Sequence, residues 1–224
     1  MNERMNVSKE YFIRENSTAA YSGEWEADQY VGSLTLRKSL PDAETIVKEL
    51  HQRVLSPLLP AETRDRFAGV YRTGDFMGVS GSGLSCPHGY EVPREMRLYG
   101  QVMNAKLKQV KCDKVVDIAS LIKSMGYGHY ELVRIHPFVD GTGRVARKML
   151  TLMSKLACKK PIIIAPKHRS EYLDSLEKVT VTDNVDYFNK FLAKRWIGSL
   201  SRNKSEDLSQ INELENYVAS LRIK

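Results

Sequence analysis

Cysteine is scarce in this 224-residue chain: Cys86, Cys112 and Cys158 are odd in number, and no two form a Cys-x-x-Cys pair. Such a set builds neither a disulfide framework nor a zinc knuckle, and it fits a reducing cytoplasm. Long apolar runs are missing as well. None approaches the roughly 18 to 20 residues of a membrane span, and the polar start Met1-Asn-Glu-Arg-Met-Asn-Val-Ser-Lys-Glu is unlike a secretory signal. No membrane partner is expected, although export by a route without such a signal stays open. No internal repeat and no basic tract run along the chain. The 34 Lys and Arg against 27 Asp and Glu leave a formal charge of +7, spread along the sequence, so no specific nucleic-acid partner is expected. The 42% hydrophobic content is ordinary for a soluble globular protein with one core.

Against that background one stretch gathers chemistry: His136-Pro137-Phe138-Val139-Asp140-Gly141-Thr142-Gly143-Arg144-Val145-Ala146-Arg147. Pro137 and the glycines disfavour helix up to about Gly143. Helix formers follow, with apolar residues at Val145, Met149, Leu152, Met153 and Leu156, so the glycines stand where a helix begins. A helix N-terminus offers unpaired N–H groups and positive dipole, and glycine lets an anion approach that backbone closely. Arg144 and Arg147 share a helix face and can neutralise further phosphate oxygens. Asp140 can hold a divalent cation together with substrate phosphates, and a neutral His136 can take a proton from an incoming hydroxyl. The pattern predicts a nucleotide-phosphate site.

Along the rest of the chain, residues 1–40 are polar and mixed and predict a lead-in arm with at most short helices. Pro41-Asp42-Ala43-Glu44 starts a helix whose stripe is Ile46, Val47, Leu50, Val54 and Leu55; His51 within it reads as structural. Residues 68–93 are rich in glycine and alternate β-formers with small residues, which predicts a β-hairpin or extended loop. A helix from Pro93 to about Lys108 and another from Val115 to Met125 follow. Gly126 and Gly128 then precede or punctuate the helix that delivers His136, with His129 read as a buried, hydrogen-bonded residue. Pro161-Ile-Ile-Ile-Ala-Pro166 is a buried extended run or a proline-initiated turn. Two further helices flank residues 180–185, residues 199–207 are linker-like, and helical spacing returns from Leu208 to Ile223.

The segment His136 to Arg147 closely resembles the signature of the Fic (filamentation induced by cAMP) family, His-Pro-Phe-x-Asp/Glu-Gly-Asn-Gly-Arg-x-x-Arg, with Thr142 in place of Asn. Tyr127-Gly-His-Tyr-Glu-Leu-Val-Arg-Ile is similar to the helix that precedes it, and Val92-Pro93-Arg94-Glu95-Met96 to the helix start after the family's flap. The resemblance implies an all-α fold, a Fic-type helical bundle with a small β-hairpin flap. It also implies an N-terminal arm over 1–40, a Fic core over 41–200 and a C-terminal helical extension over 201–224. The implied activity is protein adenylyltransfer: AMP passes from ATP to a Ser, Thr or Tyr hydroxyl of a target protein.

In that scheme His136 is the base, and Asp140 holds Mg²⁺ or Mn²⁺ against the α- and β-phosphates. The backbone from Gly141 through Thr142 and Gly143 to Arg144 forms an anion hole. Arg144 binds the leaving phosphates, Arg147 the terminal one, and Tyr172 borders the adenine. The flap around Met77–Cys86 docks the target. Thr142 presents a shorter, differently aimed group than Asn, so a phosphotransferase or a transferase of another nucleotidyl group is the related alternative. A non-catalytic nucleotide- or nucleic-acid-binding protein of the same fold is the alternative of another class. Members of the family are often held off by a Ser/Thr-x-x-x-Glu-Gly/Asn helix. Ser209 and Glu213 keep that spacing with Leu214 in the last position, Ser22 and Glu26 keep it with Ala27, and a separate inhibitor chain is the remaining option.

Overall fold

A computed structural model describes residues 18–75, 83–112, 117–201 and 208–223 of the chain, and all its regular elements among them are helical. They are α1 (Thr18–Leu36), α2 (Ala43–Leu55), α3 (Ala61–Phe67), α4 (Val92–Cys112), α5 (Ile118–Ile135), α6 (Thr142–Leu156), α7 (Arg169–Thr182), α8 (Asp186–Leu200) and α9 (Leu208–Ser220). None of these is long and apolar enough to cross a membrane. Two starts are set by aspartate caps: Asp42 accepts from the Thr45 N–H at 2.9 Å and Asp117 from the Ser120 N–H at 2.8 Å. Each satisfies a donor that the first helical turn leaves without an intrahelical partner.

Helices α5 and α6 pack against each other at the centre. α1 and α2 cover one side of α6, α4 bridges α2 and α5, and α8 lies on α5 with α7 and α9 beside it. Leu34, Leu50, Met96, Ile122, Leu132, Phe138, Val145 and Trp196 are buried in one continuous core. Each such side chain contributes about 1.5–3 kcal/mol relative to exposure. Trp196 is accommodated because its indole N–H donates to the Lys160 carbonyl at 2.8 Å.

The structure departs from the sequence expectation in four places. The first 40 residues hold more than short helices: α1 runs for 19 residues, and its Gly23 marks a close crossing, since a Cβ there would lie 2.7 Å from the Val54 carbonyl oxygen. Gly126 and Gly128 do not interrupt a helix either. They lie inside a continuous α5, where a Cβ would meet Asn189 Oδ1 and the Met103 methyl, so close packing and not chain reversal explains them. The third departure is α3, which was not foreseen; it is seven residues long and buries no side chain fully, so it has no apolar stripe to read. Finally, residues 70–75 and 83–88 form no strand among the described residues; 76–82, and with them most of the Met77–Cys86 segment, lie outside the description, as do 202–207 of the linker-like stretch.

α1 is fastened to α6 by charge as well as by packing. Lys148, on α6 and only 8% exposed, reaches Glu24 Oε2 at 2.6 Å, Asp28 Oδ1 at 2.8 Å and the Glu24 carbonyl at 3.2 Å. A buried ammonium is tolerated because all three of its donors are taken.

Candidate functional site

His136 follows the last turn of α5 as its C-cap, in the left-handed conformation (φ 47°, ψ 61°), and its N–H returns to the Leu132 carbonyl at 3.1 Å. For a residue with a Cβ this conformation costs on the order of 1 kcal/mol, so the chain must hold it. The holder is Arg72, a residue that carried no signal in the sequence. Its Nε donates to the His136 carbonyl at 2.7 Å, Nη1 to the Gly74 carbonyl at 2.7 Å, and Nη2 to the Pro87 and Ile135 carbonyls at 2.7 and 3.2 Å. Its own N–H donates to the Pro137 carbonyl at 2.8 Å.

The loop from Pro137 is shaped by His51, which is fully buried and stacks on Phe138 with ring centres 3.6 Å apart. The Gly69 N–H donates to His51 Nδ1 at 2.9 Å. The imidazole proton is therefore on Nε2, which donates to the Asp140 carbonyl at 2.8 Å. Gly141 then caps α6 with φ 83°, and a Cβ on it would lie 3.2 Å from His51 Cδ2. The sequence reading of these glycines as a helix start holds.

The structure places Asp140, Gly141, Thr142, Gly143, Arg144 and Arg147 together at the start of α6, next to His136. Asp140 accepts from the Gly141 N–H at 2.6 Å and from Arg144 Nη2 at 3.0 Å, with its side chain 39% exposed. Among the described residues no three His, Cys, Asp or Glu side chains gather into a metal site. A lone, accessible carboxylate suits an ion shared with substrate phosphates, the usual setting for Mg²⁺. Arg147 is exposed and makes no ion pair with a described carboxylate.

Thr142 turns away from any such ligand. It is 1% exposed and its hydroxyl has no hydrogen-bond partner among the described residues. A buried hydroxyl without a partner costs about 1–3 kcal/mol, and valine keeps the shape without the polar atom. Thr142→Val is expected to raise unfolding stability by about 1 kcal/mol. Denaturant titration checks it, and a loss of stability would mean that the hydroxyl is bonded in the folded state.

Tyr172 comes from α7 and is joined to α5 by its hydroxyl, 3.0 Å from His129 Nε2; both rings pack against Phe188. Burial raises the Tyr172 hydroxyl to about 12, an effect the nearby Arg147 guanidinium opposes. His129 is thus the buried, bonded residue expected, and Tyr172 lies within electrostatic reach of Arg147.

Three histidines are held neutral. Burial lowers His51 to about 3, His129 to about 3 and His136 to about 4; for His136 a hydrogen bond to the Val133 backbone and the Asp140 carboxylate pull the other way, while Arg72 assists. Folded pKa values below the unfolded 6.5 mean that the unfolded chain binds more protons between those limits, so stability falls as pH drops from about 6.5 toward 4. Unfolding at pH 5 is expected to be accompanied by the binding of about three protons to these residues. Calorimetric unfolding in buffers of different ionisation enthalpy measures that number, and uptake near zero would contradict the burial.

Neither candidate inhibitory carboxylate touches Arg147. Glu213 accepts from Ser209 Oγ at 3.3 Å on the exposed face of α9, and Glu26 from Ser22 Oγ at 3.5 Å on α1. Two grooves on the described surface also lie away from His136. One, of about 690 Å³, runs between α1 and α2 beside Trp25, Tyr30, Arg37 and Arg53; the other, of about 300 Å³, lies between α7 and α8. The hydrogen-bonded loop around His136 is the better guide to chemistry, because it assembles reactive groups where the grooves supply only concavity.

A family model described as Fic/DOC family matches residues 41–154. A protein adenylyltransferase Fic from Nematostella vectensis is 30% identical over 169 residues, covering 75% of this chain and 36% of the relative. Protein adenylyltransferase fic-1 from Caenorhabditis elegans is 30% identical over 161 residues, covering 70% and 27%. The chain therefore spans about a third of the length of these curated relatives. Among solved structures, Fic-1 from C. elegans matches with a TM-score of 0.64 at 25% identity, over 85% of this chain and 52% of that one. A Fic domain containing signaling protein from Bacteroides thetaiotaomicron matches at 0.59 and 20% identity, over 88% and 65%.

Proposed function

Since this chain belongs to the Fic/DOC family, we propose that it is a protein adenylyltransferase that moves AMP from ATP to a Ser, Thr or Tyr hydroxyl of a target protein. The observation that carries this reading is the placement of a neutral, backbone-fixed imidazole, His136, beside a glycine-capped helix start bearing Arg144 and Arg147.

A neutral His136 imidazole keeps one ring nitrogen without a proton, ready to accept one. That nitrogen takes the proton of the target hydroxyl while the oxygen forms a bond to the α-phosphorus. The bond from that phosphorus to the bridging oxygen breaks, and pyrophosphate leaves. Backbone N–H groups at the start of α6 face the developing charge, where fixed donors stabilise it without reorganising. Arg144 binds the leaving phosphates and exchanges Asp140 for them; Arg147 takes the terminal phosphate. Mg²⁺ or Mn²⁺ arriving with ATP would be held by Asp140 and phosphate oxygens, and would neutralise charge on the departing group. Tyr172 borders the adenine side beyond Arg147. The flap segment, anchored on either side of residues 76–82, offers main-chain groups to a target in the manner of an added strand. Since Glu213 and Glu26 hold their own serines, Arg147 is left for phosphate, which supports an unrestrained site or an inhibitor on a separate chain.

Incubation with ATP labelled separately at the α- and γ-phosphate decides the reaction. Label from the α position should enter protein and label from γ should not. Transfer of γ label would make the chain a phosphotransferase, and transfer of neither, with ATP bound, a binding protein.

A further inference from the structure

A guanidinium buried beneath the base joins two parts of the site that the chain keeps far apart in sequence. Arg72 is 5% exposed, and among the described residues its side-chain hydrogen bonds run to four neutral carbonyls. Two of those carbonyls, Ile135 and His136, end α5 and carry the base. The other two, Gly74 and Pro87, are the roots of the segment that would present a target. A buried cation with no carboxylate among these partners is costly, and its retention here is balanced by donors that a planar fork alone can aim in several directions. It also completes the C-terminus of α5, where positive charge is favourable and where the last carbonyls have no intrahelical partner.

Both roots are tied down further on their own side. The Gly89 N–H donates to Asp75 Oδ1 at 3.0 Å, and Asp75 Oδ2 lies 3.2 Å from His88 Nδ1. A Cβ on Gly89 would be 2.0 Å from the Thr73 carbonyl oxygen, so the two chain passes touch directly. The segment on either side of residues 76–82 is therefore one closed unit standing on Arg72.

We infer that Arg72 is a positioning residue that sets the backbone of His136 and the roots of the target-presenting segment as a single unit. The inference rests on the proposed transferase reading for its effect on rate, but not for its effect on structure. Arg72 touches neither the α6 start nor Arg147, so nucleotide binding should be indifferent to it while transfer is not.

The test uses the full chain with Arg72→Met, which keeps much of the stem and removes the fork, and Arg72→Lys, which keeps the charge and fewer directions. Hydrogen exchange is followed in segments 83–91 and 132–138 against α8 as the core reference, ATP affinity by calorimetry, and transfer by α-labelled ATP. In Arg72→Met, both segments should exchange at least about tenfold faster relative to α8, ATP affinity should stay within about twofold, and transfer should fall about a hundredfold. Arg72→Lys should recover part of the transfer and part of the protection together. Uniform acceleration that includes α8, or a response in one segment alone, would overturn the inference. If the unaltered chain transfers no label, the transferase reading fails while the exchange result still decides the role of Arg72. If Arg72→Met does not fold, Arg72→Lys supplies the same comparison.

Discussion

Replacing His136 by alanine is expected to lower label transfer from ATP by about 10²–10⁴-fold, the range general-base catalysis contributes, with the fold retained. The ring is half-buried at the end of α5 and not part of its apolar face, and the backbone that carries it is held from elsewhere: its N–H by Leu132 and its carbonyl by Arg72. Alanine can keep those bonds, although at φ 47° it gains nothing from the left-handed conformation. Because a general base acts in the transition state and not in binding, ATP affinity should change little, and the loss should appear in turnover alone. A variant retaining a tenth or more of wild-type transfer, measured beside unchanged thermal unfolding, would remove His136 from the role of base. The proposed base also predicts the shape of the acid limb. Transfer should hold well below pH 6, since His136 stays neutral down to about 4, until loss of the folded state ends it.

Gly126→Ala is expected to be the most damaging small change in the core. A Cβ at Gly126 would stand 1.8 Å from Asn189 Oδ1 and 3.0 Å from its Cγ, where α5 crosses α8. Asn189 cannot swing aside freely, being fully buried with its amide nitrogen donating to Asp186 Oδ1 at 2.9 Å. Overpacking of this kind costs about 3 kcal/mol, while alanine returns about 1 kcal/mol of helix propensity. The net loss of about 2 kcal/mol corresponds to a melting temperature lower by about 4–8 °C for a chain of this size. Thermal denaturation measures it. A variant as stable as wild type would mean that the crossing of α5 on α8 is looser than the structure has it.

The fate of individual residues explains how much was legible. Helices with a clear apolar stripe and a capping aspartate, α2 above all, could be read because propensity, period and cap agree. The segment His136 to Arg147 was legible for a different reason: its glycines, cations and base are adjacent in sequence, so their grouping in space needed no tertiary information. Arg72 was not legible. It acts through carbonyls that any sequence possesses, and a separation of 63 residues from Ile135 leaves no pattern. His51 likewise contributes through the Asp140 carbonyl and the Phe138 ring, 89 and 87 positions onward in the chain. Gly126 and Gly128 misled in the same direction, because glycine at a helix crossing and glycine at a break look alike until the neighbouring helix is known. The buried side of Thr142 was hidden too, since a signature position suggests ligand contact whichever way its side chain points.

The clasp of Lys148 by Glu24 and Asp28 has a bearing on how such a chain can change over generations. The family match spans 41–154, yet the ammonium inside that span is neutralised by two carboxylates outside it. Substituting an apolar residue at 148 would strand two acids against the back of α6, and losing both acids would strand a buried cation. The three positions are therefore free to drift only as a set. A graft that carried residues 41–154 into another Fic scaffold would inherit an unmatched positive charge one residue after Arg147.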